Sequence, residues 1–338
     1  MDMGKVLSSR THRTYSTILE ALISGERLRD IEISWDCAPE KAKLDNLDNL
    51  YDERLSQLRG EYDIMELSWG GGYDSSYLLE VAVRNDISFD IISMIGYRDI
   101  DHPATMNLEL KNNYYLIGRY LERFPGTEVK FIDLAGLWDL ARQDHSRDKW
   151  LKSYPTLDDI CGLYCDAFLG REAVQNRCLV TGKGWKNITY NSEYRMWSMY
   201  HTANDQYTRL AHTSVCDYVP FYATTDIVTS ACFDAMKLTP DRNKSWTPTG
   251  SWMQENVLYP GFDHPIWKVS KGFVNHFSCS KMDWFYNNGR PAHPELHREY
   301  WTWLDKCNDK IHIEDLGGKR MPEGFYVEQT KIVDFYRE

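Results

Sequence analysis

Three consecutive glycines, Gly70, Gly71 and Gly72, are followed at once by Tyr73, Asp74, Ser75 and Ser76. Glycine carries no Cβ, so a run of glycines lets backbone N–H groups close on a bound anion. Ser75 and Ser76 add hydroxyl donors, and either Asp74 or Ser75 can cap the helix that follows. Those residue types at that spacing suit the holding of phosphate. A second glycine pair occurs in "LVTGKGWKN", where Gly182 and Gly184 bracket Lys183, with Thr181 before them and Lys186 after. Lysines there would be matched in charge to a bound phosphate.

The neighbouring elements must position these residues. "DIMELSW" has the length of a buried strand; it contains Ser68 and ends at the glycines. "SSYLLEVAVRND" reads as a helix, with Leu78, Leu79, Val81 and Val83 mostly buried. In a strand, glycine loop and helix of this kind, the helix N-terminus points its unpaired N–H groups and positive dipole end at the anion. "SFDIISMIGY" reads as a second strand. "TMNLELKNNYYLIGRYLERFPG" is a helix with Leu110, Tyr114, Ile117 and Leu121 at helical spacing, stopped by Pro125-Gly126. "TEVKFIDL" is a third strand, "RCLVTG" a fourth and "SVCDYVPF" a candidate fifth, with a helical and loop region over 137–176. Strands that alternate with helices predict an α/β fold, a parallel sheet with helices on both faces. Such sheets bind ligands beyond the carboxyl ends of their strands. That rule selects Gly70 to Ser76, Ile95 to Arg98, and Thr181 to Asn187.

The flanks read differently. Residues 1–60 are expected to be helical: Ile18, Leu19, Leu22 and Ile23 share a face before Gly25, and Leu47, Leu50, Leu55 and Leu58 share one before Gly60. From Asp241 the alternation is lost and Pro, Gly, Trp and Asn become frequent, which predicts a helical or irregular C-terminal lobe. The expected organisation is 1–60, an N-terminal helical segment; 61–240, the α/β domain that carries the glycine loops; and 241–338, the C-terminal lobe.

Composition bounds the function. The chain has 338 residues, 42% hydrophobic and 26% charged, with a net charge of -11. That charge argues against a nonspecific binder of nucleic-acid backbone. No apolar run approaches the ~20 residues that span a bilayer, and "MDMGKVLSSRTHRTY" lacks the apolar stretch of a signal peptide; the expected location is the cytoplasm. The eight cysteines include no Cys-x-x-Cys pair. Cys161 and Cys165 lie one helical turn apart, as two core residues or a metal or redox pair. His293 and His297 have the spacing of a metal pair on a helix, or simply mark a surface helix start. "YPGFDHPIWKVSK", with Tyr259, Asp263, His264, Trp267, Lys268 and Lys271, is either a packed connection or a substrate lid. Arg147 and Lys244 could reach a phosphate.

The first loop resembles the PP-loop signature Ser-Gly-Gly-x-Asp-Ser/Thr of the ATP pyrophosphatase superfamily. Gly70-Gly71-Gly72-Tyr73-Asp74-Ser75 departs from it only at Gly70, where the signature has serine. The layout is nearest to the asparagine synthetase synthase domain and the 7-cyano-7-deazaguanine synthase group. The second loop matches the asparagine synthetase pattern in glycine spacing, with Lys183, Trp185 and Lys186 in place of acidic residues. The resemblance implies an adenine nucleotide alpha hydrolase-like (HUP) sheet. It also implies an ATP-dependent, AMP-forming ligase or amidotransferase-like enzyme that adenylates its substrate and releases pyrophosphate. ATP and Mg²⁺ are the implied cofactors. The adenine would lie near Met94, Ile95 and Gly96, and the phosphates over the 70–76 loop, with Ser68, Thr181, Gly182 and Gly184 close by. Asp74 would hold Mg²⁺ or cap the loop, and Lys183 and Lys186 would stabilise pyrophosphate. The implied partner is a small-molecule or nucleobase acceptor. Residues 1–60 leave no room for a fused glutaminase domain, so a separate nitrogen donor stays open, as does a homo-oligomer. Alternatives are a nucleotide-binding or structural protein that has lost turnover, and a tRNA-modifying sulfurtransferase.

Overall fold

The computed structural model describes residues 5–15, 21, 24–27, 30–34, 39–96, 98, 105–133, 176–182, 187–201, 217–239, 241–248, 250–263 and 330–337. The N-terminal stretch is not purely helical. Lys5–Ser8 (β1) pairs antiparallel with both Thr14–Tyr15 (β2) and Ile31–Ser34 (β3). These strands have four residues or fewer, too short for periodicity to separate from helix. Within the first expected helix Ala21 is described and is helical, and Ser24 and Gly25 form a turn.

Glu26 ties this small sheet together. Its side chain accepts from Ser8 Oγ at 2.9 Å, Thr11 Oγ1 at 2.6 Å and Tyr15 OH at 2.8 Å. Arg10 adds Nη2 at 2.9 Å and Nε at 3.3 Å. The Thr11 bond leads in holding the acid down at about 2, against an opposing push from burial.

The second expected helix is present as Leu47–Glu61 (α1), which buries Leu47, Leu50, Leu55 and Leu58. Its start is fixed by Asn46, whose Oδ1 accepts the Asp48 N–H at 2.8 Å.

The central sheet follows the expected alternation. Ile64–Trp69 (β4), Ile91–Gly96 (β5), Glu128–Asp133 (β6), Arg177–Thr181 (β7) and Asp217–Pro220 (β10) are all parallel. Their order is β10-β7-β4-β5-β6. Tyr73–Asn85 (α2) joins β4 to β5, Thr105–Arg123 (α3) joins β5 to β6, and Thr225–Lys237 (α4) follows β10. Helices flank the sheet: α1 packs against α2 and α4, and α2 against α3.

The strands alternate in chemistry as they must in orientation. Met65, Leu67, Trp69, Ile92, Cys178 and Val180 join the apolar core with the helices. Interleaved with them are buried polar residues, Glu66, Ser93, Arg177 and Thr181. Glu66 is fully buried and accepts from Ser93 Oγ and from the Arg177 guanidinium. A buried carboxylate needs such partners in place of water.

A third sheet, also antiparallel, was not anticipated. Asn187–Asn191 (β8) and Met196–His201 (β9) form a hairpin, and Thr330–Arg337 (β11) pairs with β9. Gly250–Met253 (α5) continues into a π-helical turn at Gln254–Leu258. No described helix is long and apolar enough to cross a membrane.

Candidate functional site

Strands β5 and β6 extend the sheet on one side of β4, while β7 and β10 extend it on the other. The direction of winding therefore reverses between β4 and β7. A crevice opens at such a point beyond the carboxyl ends of the strands, and ligands of open α/β sheets bind there. Both glycine loops leave from this place. Gly70–Gly72 follows β4, Gly182 follows β7, and the β4–β7 pairing ends at Ser68 and Thr181.

Close packing explains two of the glycines. Gly71 has φ +75°, and a Cβ there would lie 2.7 Å from the Glu109 carbonyl carbon and 2.9 Å from Leu110 N. Both atoms belong to the α3 backbone and cannot swing aside. A Cβ on Gly182 would lie 2.8 Å from Ser75 N and 2.9 Å from the Asp74 Cβ. The β7 loop thus rests directly on the first turn of α2. Gly72 is the N-cap of α2, with no side chain capping it. Gly70 is different: among the described residues, nothing lies within 4 Å of where its Cβ would be.

Helix α3 forms the floor beneath the first loop. Asn113 is fully buried, and its Nδ2 donates to Gly71 O at 2.7 Å and to Glu109 O at 3.1 Å. Its Oδ1 is buried with no hydrogen-bond partner. The Glu109 carboxylate sits beside the loop, with Oε2 3.4 Å from where a Gly72 Cβ would be. Neither residue was singled out from sequence. The available signal was an asparagine three residues after Leu110 and four before Ile117, on the buried stripe of a helix.

The serines behave unequally. Ser75 Oγ donates to Gly72 O at 3.3 Å. Ser76 Oγ is buried without a partner. Ser68 is half-buried in β4, paired with Ser93 as well as Thr181. Met94 pairs with Trp69 and with Phe131, and Gly96 with Asp133. Met94, Ile95 and Gly96 therefore end β5 beside the first loop.

Asp74 does not cap α2. Its Oδ1 accepts from Gln254 Nε2 at 2.9 Å and from Tyr259 OH at 2.8 Å, and its carbonyl accepts from Tyr222 OH at 3.0 Å. Burial, then the Asp74 charge, pushes the Tyr259 hydroxyl well above its ordinary value, so it remains a donor. Burial leads for Tyr222 as well. Tyr73 also turns toward this C-terminal stretch, donating to Phe262 O at 3.0 Å. Rings of Tyr73, Tyr77 and Tyr222 lie 5.3, 4.6 and 5.4 Å from that of Tyr259. Tyr259, from the stretch read as a connection or a lid, is thus packed against the glycine loop's helix.

Lys183, Gly184 and Lys186 lie outside the described residues, as do Arg147, Cys161, Cys165, His264, Trp267, Lys268, Lys271, His293 and His297. Lys244 is described, and its Nζ lies 3.7 Å from Asp241 Oδ2. Among the described residues, no group of three or more His, Cys, Asp or Glu could hold a metal ion.

No protein-family profile matches the chain, and no curated protein matches it. Solved structures similar to it include an NMN synthetase from Francisella tularensis, at 12% identity and TM-score 0.31, covering 81% of this chain and 96% of that one. Another is an NH3-dependent NAD synthetase from Campylobacter jejuni in complex with nitrate, at 12% identity and TM-score 0.32, covering 84% of this chain and 100% of that one. Likeness at that level carries no argument about what this chain does.

Proposed function

We propose that the chain binds ATP across the β4–β7 crevice and acts as an AMP-forming ligase of the PP-loop type. One observation carries this reading. Two glycine loops meet at the reversal of strand order, and the first turn of α2 lies against both. A helix start at a switch point, approached by glycines that exclude a Cβ, is a place built for phosphates.

The chain's own residues then take these parts. Backbone N–H groups of the 70–76 loop, with the Ser75 and Ser76 hydroxyls, hold the phosphates; Ser76 Oγ, buried and unpartnered, supplies a donor that a phosphate oxygen would satisfy. Met94, Ile95 and Gly96 border the adenine. An oxygen of the substrate attacks the α-phosphorus, the bond to the bridging oxygen of pyrophosphate breaks, and pyrophosphate leaves. Lys183 and Lys186 stabilise its charge. A nitrogen nucleophile then displaces AMP from the adenylated small molecule or nucleobase.

Mg²⁺ keeps several waters and takes one or two carboxylates plus substrate phosphates, so Asp74, or Glu109 beside Gly72, would hold it. The ion would neutralise charge on the phosphates as pyrophosphate departs. Incubating the protein with ATP and candidate acceptors should yield AMP and pyrophosphate. Release of ADP and phosphate, or activity that survives Asp74→Ala, would sink the reading.

Gly70 favours a second reading, a nucleotide-binding protein without turnover. The serine of the resembled signature is missing although no described residue lies within 4 Å of the Gly70 Cβ position. ATP binding by calorimetry with no pyrophosphate release would select that reading.

A further inference from the structure

We infer that Gln254 and Tyr259 are positioning residues for Asp74, delivered to it by the π-helical turn; this rests on the nucleotide reading above. The turn closes with Tyr259 N–H donating to Gln254 O at 2.9 Å, a bond spanning five residues. In an α-helix, residues five apart point to different sides. The wider turn stacks them, and both side chains reach one oxygen, Asp74 Oδ1, at 2.9 and 2.8 Å. π-turns are rare and concentrate at functional sites. Here the unusual backbone has a specific product: two donors, from side chains five residues apart, on one carboxylate oxygen.

The clamp is over-determined. Tyr259 is fully buried among the rings of Tyr73, Tyr77 and Tyr222. Tyr51 OH donates to Leu258 O at 3.2 Å, tying the turn to α1. Tyr222 OH fixes the Asp74 carbonyl from another side. Two hydrogen bonds to a charged acceptor are strong and directional. They set the plane of the carboxylate before any ligand arrives, so metal-bound nucleotide meets an oriented anion and loses less entropy on binding.

The test compares nucleotide binding with and without metal in the full chain. The probes are Mn²⁺·ATP, followed by the paramagnetic resonance of Mn²⁺, and ATP in EDTA, followed by calorimetry. Tyr259→Phe keeps the ring and removes only the donor. It should weaken Mn²⁺·ATP by about tenfold, the scale of one hydrogen bond to a charged group, and leave ATP in EDTA unchanged. Gln254→Leu should do the same. On an Asp74→Asn background, Tyr259→Phe should add little. Equal weakening with and without metal, full additivity with Asp74→Asn, or unchanged Mn²⁺·ATP binding would each overturn the inference. If Tyr259→Phe does not fold, Gln254→Leu at a half-buried position carries the test. A wild-type protein that binds neither probe removes the nucleotide reading and this inference together. A wild type that forms AMP and pyrophosphate beside an indifferent Tyr259→Phe removes this inference alone.

Discussion

A Cβ on Gly182 would lie 2.8 Å from the backbone nitrogen of Ser75. The end of β7 and the start of α2 are therefore in direct backbone contact, and the two glycine loops form one surface. Gly182→Ala must push α2 away from β7. Overpacking of this kind costs about 1–3 kcal/mol. The expected result is a lower denaturant midpoint and weaker ATP binding together, measured by urea unfolding and calorimetry. Gly71→Ala should be worse still, because a positive φ adds strain to a backbone clash.

Gly70 supplies the contrast. No described residue blocks its Cβ direction, so Gly70→Ser should change stability by less than about 0.5 kcal/mol. The added hydroxyl restores the donor found in the resembled signature. Tighter ATP binding, or faster pyrophosphate release, is the expected gain. A variant that unfolds or binds more weakly would show that the position is closed to serine after all.

Asn113 is the strut between α3 and the first loop. Asn113→Leu leaves the Gly71 carbonyl without its donor at a buried position, at a cost of about 1–3 kcal/mol. Asn113→Asp should be more damaging, since a carboxylate would face the Gly71 and Glu109 carbonyls. Thermal unfolding ranks the two, and nucleotide affinity should fall in both because the loop loses its anchor.

The residues of the site were unequally legible in the sequence. The strand, glycines and helix from Ile64 to Asn85 could be read because each signal is local: an apolar run, three residues without Cβ, then a helical stripe. The same locality gave β5, β6, β7 and β10. Gln254 and Tyr259 carried no such signal. They meet Asp74 across more than half the chain, through a π-turn that no periodicity announces. Asn113 is hidden in the opposite way, as a polar residue on the apolar stripe of a helix. In the first 34 residues the strands were too short to show a period, and a helical reading took their place.

Glu26 makes the N-terminal sheet sensitive to acid. Its carboxylate, held by Thr11, Tyr15, Ser8 and Arg10, titrates at about 2 in the folded chain, below the ordinary 4.5. A group whose folded value is depressed binds protons more readily when unfolded, so its contribution is complete above about pH 4.5 and declines as pH falls toward 2. Protonation removes acceptor capacity from an oxygen pair that serves four side chains. Hydrogen exchange of residues 5–15 should show protection at pH 7 that is progressively lost through this window. Glu26→Gln should lower protection at neutral pH and flatten the acid dependence, because an amide cannot titrate and presents only one acceptor oxygen. The parallel sheet lacks this group, so its strands should keep their protection under the mildest acid that opens β1 and β2. Simultaneous loss in β1 and β4 would mean that the small sheet has no stability of its own and unfolds with the core.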